Sequence, residues 1–78
     1  MSDHRHIVLD SEFLQTMRPS ERGIKFVTKF FQLTKLGRAR INFPRDEFKK
    51  WIFPVSVGNP NKAKSLLRQY DSAAKLNN

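Results

Sequence analysis

Hydrophobic residues recur at helical spacing in two long segments of the chain. In residues 19–36, the apolar side chains cover about half the circumference of a helix that turns about 100° per residue. They are Ile24, Phe26, Val27, Phe30, Phe31 and Leu33. In residues 60–76, a second apolar stripe consists of Ala63, Leu66, Leu67, Tyr70, Ala73 and Ala74. Both segments are predicted to be amphipathic helices. Gly37 is expected to end the first, and Asn59 to cap the second with Pro60 in its first turn.

Two shorter helices are predicted beside these segments. One begins at Asp10 or Ser11, since either side chain can cap a helix, and it ends before Pro19. Its inner side is predicted to carry Phe13, Leu14 and Met17. The other begins at Pro44 and ends at Pro54, because proline lacks the amide hydrogen that a helix interior needs. Its apolar face is predicted to consist of Phe48, Trp51 and Ile52.

A short strand is predicted ahead of the last two helices. Residues 38–43 alternate between two sides. Ala39, Ile41 and Phe43 lie on one side, and Arg38, Arg40 and Asn42 on the other. A lone strand leaves its backbone groups unpaired, so its partner is expected to be either residues 7–9 or the same strand of a second subunit. The chain is therefore predicted to be mainly α, a small bundle of three to four helices with a short strand or a two-stranded ribbon. Residues 1–9 are expected to form a flexible segment with a short strand, and residues 10–78 a single domain.

Positive charge is the main functional feature of the sequence. The chain of 78 residues carries a net charge of +8, and residues 18–41 hold seven basic side chains against one acidic side chain. Such an excess favours a polyanionic partner, because cations that neutralise phosphates release counterions. The outer side of the last predicted helix combines polar and cationic side chains, with Asp71 only at its margin. They are Asn61, Lys64, Ser65, Arg68, Ser72 and Lys75. Asparagine pairs with adenine and arginine or lysine with guanine, so this face has the chemistry of DNA readout.

Other functional classes find little support in the sequence. There is no cysteine, and the only histidines are His4 and His6 in the polar N-terminal segment, so a nucleophile or metal site is not expected. No glycine-rich phosphate loop is present. No apolar run approaches the roughly 20 residues of a membrane span, and the N-terminus lacks the form of a secretory signal. We therefore expect a cytoplasmic protein that is not an enzyme, with no cofactor, small-molecule substrate or membrane partner.

The order of the predicted elements resembles the helix-turn-helix domains of small phage and plasmid regulators or replication initiators. The resemblance covers about residues 20–76. It rests on that order and on the stretches Arg-Ile-Asn-Phe-Pro-Arg-Asp-Glu-Phe and Asn-Pro-Asn-Lys-Ala-Lys-Ser-Leu-Leu-Arg. The loop predicted between the last two helices consists of residues 55–58. The resemblance implies a DNA-reading last helix in the major groove of double-stranded DNA. The residues implied to contact DNA are Asn61, Lys62, Lys64, Ser65, Arg68 and Gln69. Winged members carry a β-hairpin after this helix, whereas two residues follow here, so we expect either a wingless domain or part of a longer protein.

A second resemblance involves the predicted strand. Residues 38–43 followed by Pro44 are similar to the strand and helix start of ribbon-helix-helix repressors. That resemblance implies a homodimer in which Arg38, Arg40 and Asn42 read bases. The break at Pro54 and the long helix ahead of the strand depart from this pattern.

Three further alternatives were left open by the sequence. The chain could be a basic module that binds an acidic protein, or its basic helix at residues 19–36 could lie on an anionic membrane. RNA is also compatible with a basic surface. Exposed aromatic side chains that would stack on unpaired bases are not expected, however, because the phenylalanines have core spacing.

Overall fold

The computed structural model of the protein describes residues 7–77, with only the backbone for residue 77. Residues 7–77 form four helices and two short strands, a mainly α fold that confirms the predicted class. The elements in chain order are β1 (Ile7–Asp10), α1 (Ser11–Thr16), α2 (Glu21–Lys35), β2 (Ala39–Asn42), α3 (Arg45–Gly58) and α4 (Pro60–Asn77). The predicted flexible tail at residues 1–6, with both histidines, lies outside the described residues.

The two strands pair with each other in parallel. Ile7 lies beside Ala39 and Asp10 beside Asn42, with the register continuous between them. Because α1 and α2 connect the strands, the chain crosses over before returning parallel to β1. Of the two partners expected for the predicted strand, the one within the chain is therefore observed.

One hydrophobic core joins all six elements, and Phe48 lies at its centre. The Phe48 ring is fully buried, and its centroid lies 5.3 Å from that of Tyr70, 5.5 Å from Phe31 and 5.8 Å from Trp51. Seven side chains from the apolar faces predicted for α2, α3 and α4 pack together in this cluster, with Leu67 only partly buried against it. They are Phe30, Phe31, Phe48, Trp51, Leu66, Leu67 and Tyr70.

Helix ends follow the local chemistry of the sequence. The Asp10 carboxylate accepts the backbone N–H of Phe13 at 2.9 Å and caps α1. Gly37 has φ 75°, and its N–H donates to the Thr34 carbonyl at 3.0 Å while that of Arg38 donates to the carbonyl of Leu33 at 2.9 Å. This pair of bonds is a Schellman motif, which glycine adopts without strain. The predicted end of the long helix at Gly37 is confirmed.

The predicted end of α3 at Pro54 is wrong. The helix continues through Pro54 to Gly58, and the predicted loop at residues 55–58 is helical. Proline removes a single helical hydrogen bond, the one to the Lys50 carbonyl. Its ring is exposed, whereas Val55 packs against the core. Partial burial of Val55 after Pro54 supports the continued helix despite the missing bond.

The connection between α3 and α4 consists of a single residue, Asn59. Phe48 stacks on Tyr70, and Arg45 bonds to Asp71 at 2.9 Å. In each pair, the two residues lie on opposite sides of Asn59 at nearly equal distances along the chain. The two helices therefore fold back on one another as an antiparallel hairpin. The turn of a helix-turn-helix motif, with three to four residues, is longer than this connection.

Two phenylalanines that were predicted to face the core are instead about half exposed. Phe13 retains 47% of its accessible surface and Phe26 retains 43%. In α1, the adjacent Leu14 is the buried residue. Neighbouring residues on a helix point about 100° apart, so α1 and α2 each bury a narrower stripe than the sequence suggested.

Candidate nucleic-acid interface

The best-supported candidate interface is the outer side of α4, and the start of this helix is set by its cap. The Asn59 side-chain oxygen accepts the backbone N–H of Lys62 at 3.1 Å, and its carbonyl accepts that of Ala63 at 3.2 Å. Pro60 follows at the first helical position, where no amide donor is needed. The predicted cap is therefore confirmed.

The inner side of α4 is fixed by burial and by one hydrogen bond. Leu66 and Tyr70 are buried among the aromatic side chains of the core. The Tyr70 hydroxyl donates to the Phe43 carbonyl at 2.7 Å, which ties α4 to the residue after β2. Burial raises the pKa of Tyr70 above its ordinary value of 10.0. Neighbouring Asp71 raises it further, while Arg45 lowers it.

One edge of the outer side of α4 carries an ion pair. The Arg45 guanidinium donates to the Asp71 carboxylate, with Nε 2.9 Å from Oδ1. This hydrogen bond, followed by Coulomb attraction to the same carboxylate, raises the pKa of Arg45. Asp71 is the acidic residue of α4, so its charge is compensated locally and does not cancel the cations on the outer side.

The predicted contact residues of α4 form a continuous exposed stripe along its outer side. Asn61, Lys64, Arg68 and Lys75 are all exposed and follow one another at three-, four- and seven-residue intervals. At about 100° per residue these positions project in nearly the same direction. The ion pairs described for residues 7–76, Arg45 with Asp71 and Lys25 with Glu21, do not involve them. We call these four residues the α4 stripe.

The other three predicted contact residues of α4 lie beside this stripe. Lys62 and Ser65 are exposed, whereas Gln69 is half-buried. The Gln69 side-chain amide points toward Ser65, with a donor–acceptor distance of 3.4 Å. That distance is long for a hydrogen bond. Gln69 therefore lies at the edge of the surface, and its amide is turned along the helix.

The arginines of the predicted strand belong to a different element from the α4 stripe. Ala39 and Ile41 point from β2 into the core, so Arg40 projects from the opposite face of the sheet. Arg40 lines a small surface cavity of about 290 Å³ with Val8 and neighbouring strand residues. Arg38 is exposed and precedes the strand.

A third surface was missed by reasoning from the sequence. The rings of Phe13 and Phe26 stack on each other at 5.8 Å, with 25° between their planes. Arg22 and Lys29 lie one turn on either side of Phe26 and are exposed. The available signal was the position of Phe26 at the edge of its apolar stripe, next to these two cations.

Metal and membrane chemistry are not indicated in the part of the chain that the structure describes. Within residues 7–76, no three side chains among histidine, aspartate and glutamate come together in a way that could hold a metal ion. None of the helices over the same range combines the length and apolarity needed to cross a membrane.

Comparison with protein-family models, with curated proteins and with solved structures gave no match to the chain.

Proposed function

We propose that the protein binds double-stranded DNA through the α4 stripe. The observation that carries this proposal is the stripe itself, which combines one amide and three cations on the outer side of the longest helix. Lys64, Arg68 and Lys75 can neutralise phosphates or pair with guanine, and Asn61 can pair with adenine. An α-helix fits the major groove of B-DNA, where base edges are distinguishable.

The helix dipole adds to this surface. The N-terminus of α4 carries partial positive charge, which favours a nearby phosphate. Asn61 and Lys64 lie within the first turns of the helix. A phosphate bound there would place Arg68 one turn further along, above the base edges.

The proposal does not depend on the helix-turn-helix resemblance, because the single-residue connection at Asn59 differs from that motif. The resemblance to phage and plasmid regulators adds one expectation, that the bound DNA is a regulatory or replication-start sequence. The ribbon-helix-helix alternative needs β2 to pair across a dimer, whereas one edge of β2 is already occupied by β1. The observed pairing therefore favours α4.

The test compares single neutralising substitutions at different places on the surface. Lys64→Gln and Arg68→Gln remove one charge each from the α4 stripe, and Lys49→Gln removes one from the exposed side of α3. Binding to a labelled duplex is measured by fluorescence anisotropy over a salt series. Arg68→Gln should cost about 1–3 kcal/mol if it reads a guanine and less if it contacts only phosphate. Lys49→Gln should change the affinity little.

Two results would contradict the proposal. Equal losses for Lys49→Gln and Arg68→Gln would mean that binding follows net charge alone. Unchanged affinity in both α4 variants, with their circular dichroism spectra intact, would exclude this helix from the interface.

A further inference from the structure

The stacked pair Phe13–Phe26 is the most unusual feature of the described surface. A half-exposed phenylalanine leaves apolar area in contact with water, which is unfavourable. Here two such rings stand together at 5.8 Å, one from α1 and one from α2. Each keeps nearly half of its surface accessible, so the pair forms a small aromatic platform.

Two cations flank this platform. Arg22 precedes Phe26 by four residues and Lys29 follows it by three, spacings that place side chains on the same side of a helix. Both are exposed. Lys25 lies one turn from each of these cations, and it forms an ion pair with Glu21 at 3.6 Å. The cations nearest the rings are thus absent from the ion pairs described within residues 7–76.

We infer that Phe13, Phe26, Arg22 and Lys29 form a binding surface for single-stranded nucleic acid. Unpaired bases would stack on the aromatic platform, and the adjoining phosphates would contact Arg22 and Lys29. Surfaces that bind single strands combine these two elements, aromatic rings for the bases and cations for the backbone. A duplex cannot use the rings in this way, because its bases are already stacked on one another.

Charge placement favours this partner over a lipid surface. A helix that lies on a membrane presents a continuous apolar face with its cations on the opposite side. Phe26 instead lies between two cations along the same side of α2. This inference does not rest on the proposed function of α4, because the two surfaces belong to different helices and different nucleic-acid forms.

The test uses an oligothymidylate strand that carries one 2-aminopurine, whose fluorescence falls when it stacks. Phe13→Leu and Phe26→Leu keep apolar bulk and remove the aromatic face. Phe53→Leu is the matched control, because Phe53 is 64% exposed on α3. Stacking on an aromatic ring changes affinity by about 5- to 150-fold per base. We expect each platform variant to lose about fivefold or more and to abolish the 2-aminopurine quenching, with duplex binding unchanged.

The cations are tested in the same assay. Arg22→Gln and Lys29→Gln should each reduce the salt slope for the single strand by about 0.7. Arg68→Gln should weaken duplex binding without affecting the quenching, so the two surfaces can fail independently.

The inference is overturned if both leucine variants bind and quench like the wild type while their circular dichroism is unchanged. It is also overturned if Phe53→Leu loses as much affinity as they do. A third contrary outcome is phenylalanine-dependent binding to vesicles that contain phosphatidylglycerol, with no binding to the single strand.

Discussion

At the scale of single residues, Gly23 shows how tightly α2 approaches the turn before it. A Cβ atom at this position would lie 2.2 Å from the Arg18 carbonyl oxygen and 3.4 Å from the Trp51 ring. The Trp51 indole N–H donates to the Met17 carbonyl nearby. This turn is therefore held by a buried side chain on one side and by a glycine on the other, and neither feature has room to shift.

We expect Gly23→Ala to destabilise the protein although alanine is the better helix former. Overpacking lowers the free energy of unfolding by about 1–3 kcal/mol. The better helix propensity of alanine offsets about 1 kcal/mol of that loss. Because the clash is with a backbone oxygen, the net loss should be about 1–2 kcal/mol. Urea unfolding followed by Trp51 fluorescence measures it.

Gly58→Ala is the control for this experiment. Gly58 also lies in a helix, but an added Cβ would meet nothing within 4 Å. The Gly58→Ala substitution should leave the free energy of unfolding unchanged or raise it slightly. Equal effects at the two positions would mean that the close approach at Gly23 has no energetic role.

At the scale of elements, α3 shows where a helix end predicted from nearby residues is wrong. Proline in a helix interior costs about 3 kcal/mol relative to alanine, and this cost predicted an end at Pro54. Val55 and Ser56 are nevertheless half-buried, and the Asn59 N–H donates to the Val55 carbonyl at 2.6 Å. Tertiary packing supports the last turn of α3, which no local pattern could show.

Pro54→Ala should therefore stabilise the protein. It restores the hydrogen bond to the Lys50 carbonyl and removes an unfavourable helical residue. The unfolded chain also gains freedom, which offsets about 0.4–1 kcal/mol of the benefit. A net gain of about 2 kcal/mol should appear as a higher urea midpoint with an unchanged slope. A loss of stability would instead show that α3 needs a bend at this position.

The elements that were predicted correctly depend on local chemistry. The caps at Asp10 and Asn59 and the stop at Gly37 each involve bonds within a few residues, and the alternation in β2 is a local pattern of side chains. Such features can be inferred from sequence because the same residues make the same bonds elsewhere.

The features that the sequence did not predict depend on which neighbouring elements pack over each face of a helix. Whether Phe26 or its neighbours on α2 face the core depends on how α1 and α4 pack against that helix. The exposed platform of Phe13 and Phe26 is a consequence of this packing. Periodicity defines a face of a helix but not the width of the face that a neighbour covers.

At the scale of the whole molecule, the net positive charge favours binding to nucleic acid and opposes folding. A net charge of +8 in a chain of 78 residues brings like charges close together in the compact state. Self-repulsion of this kind lowers stability and is screened by salt. The attraction of the same cations to nucleic acid is screened as well. Salt should therefore move stability and binding in opposite directions.

The last prediction follows from this opposition. When sodium chloride is raised from about 20 mM to about 300 mM, the Debye length falls several-fold and the thermal midpoint should rise. An increase of about 4 °C or more would correspond to roughly 1 kcal/mol for a domain of this size. In the same buffers, affinity for duplex DNA should fall, with a slope of about −0.9 for each phosphate neutralised. Lys49→Glu combined with Lys50→Glu lowers the net charge from +8 to +4 and should reduce the rise in thermal midpoint. A midpoint that falls with salt would mean that ion pairs such as Arg45–Asp71 outweigh the repulsion, and the excess charge would then carry no cost for the fold.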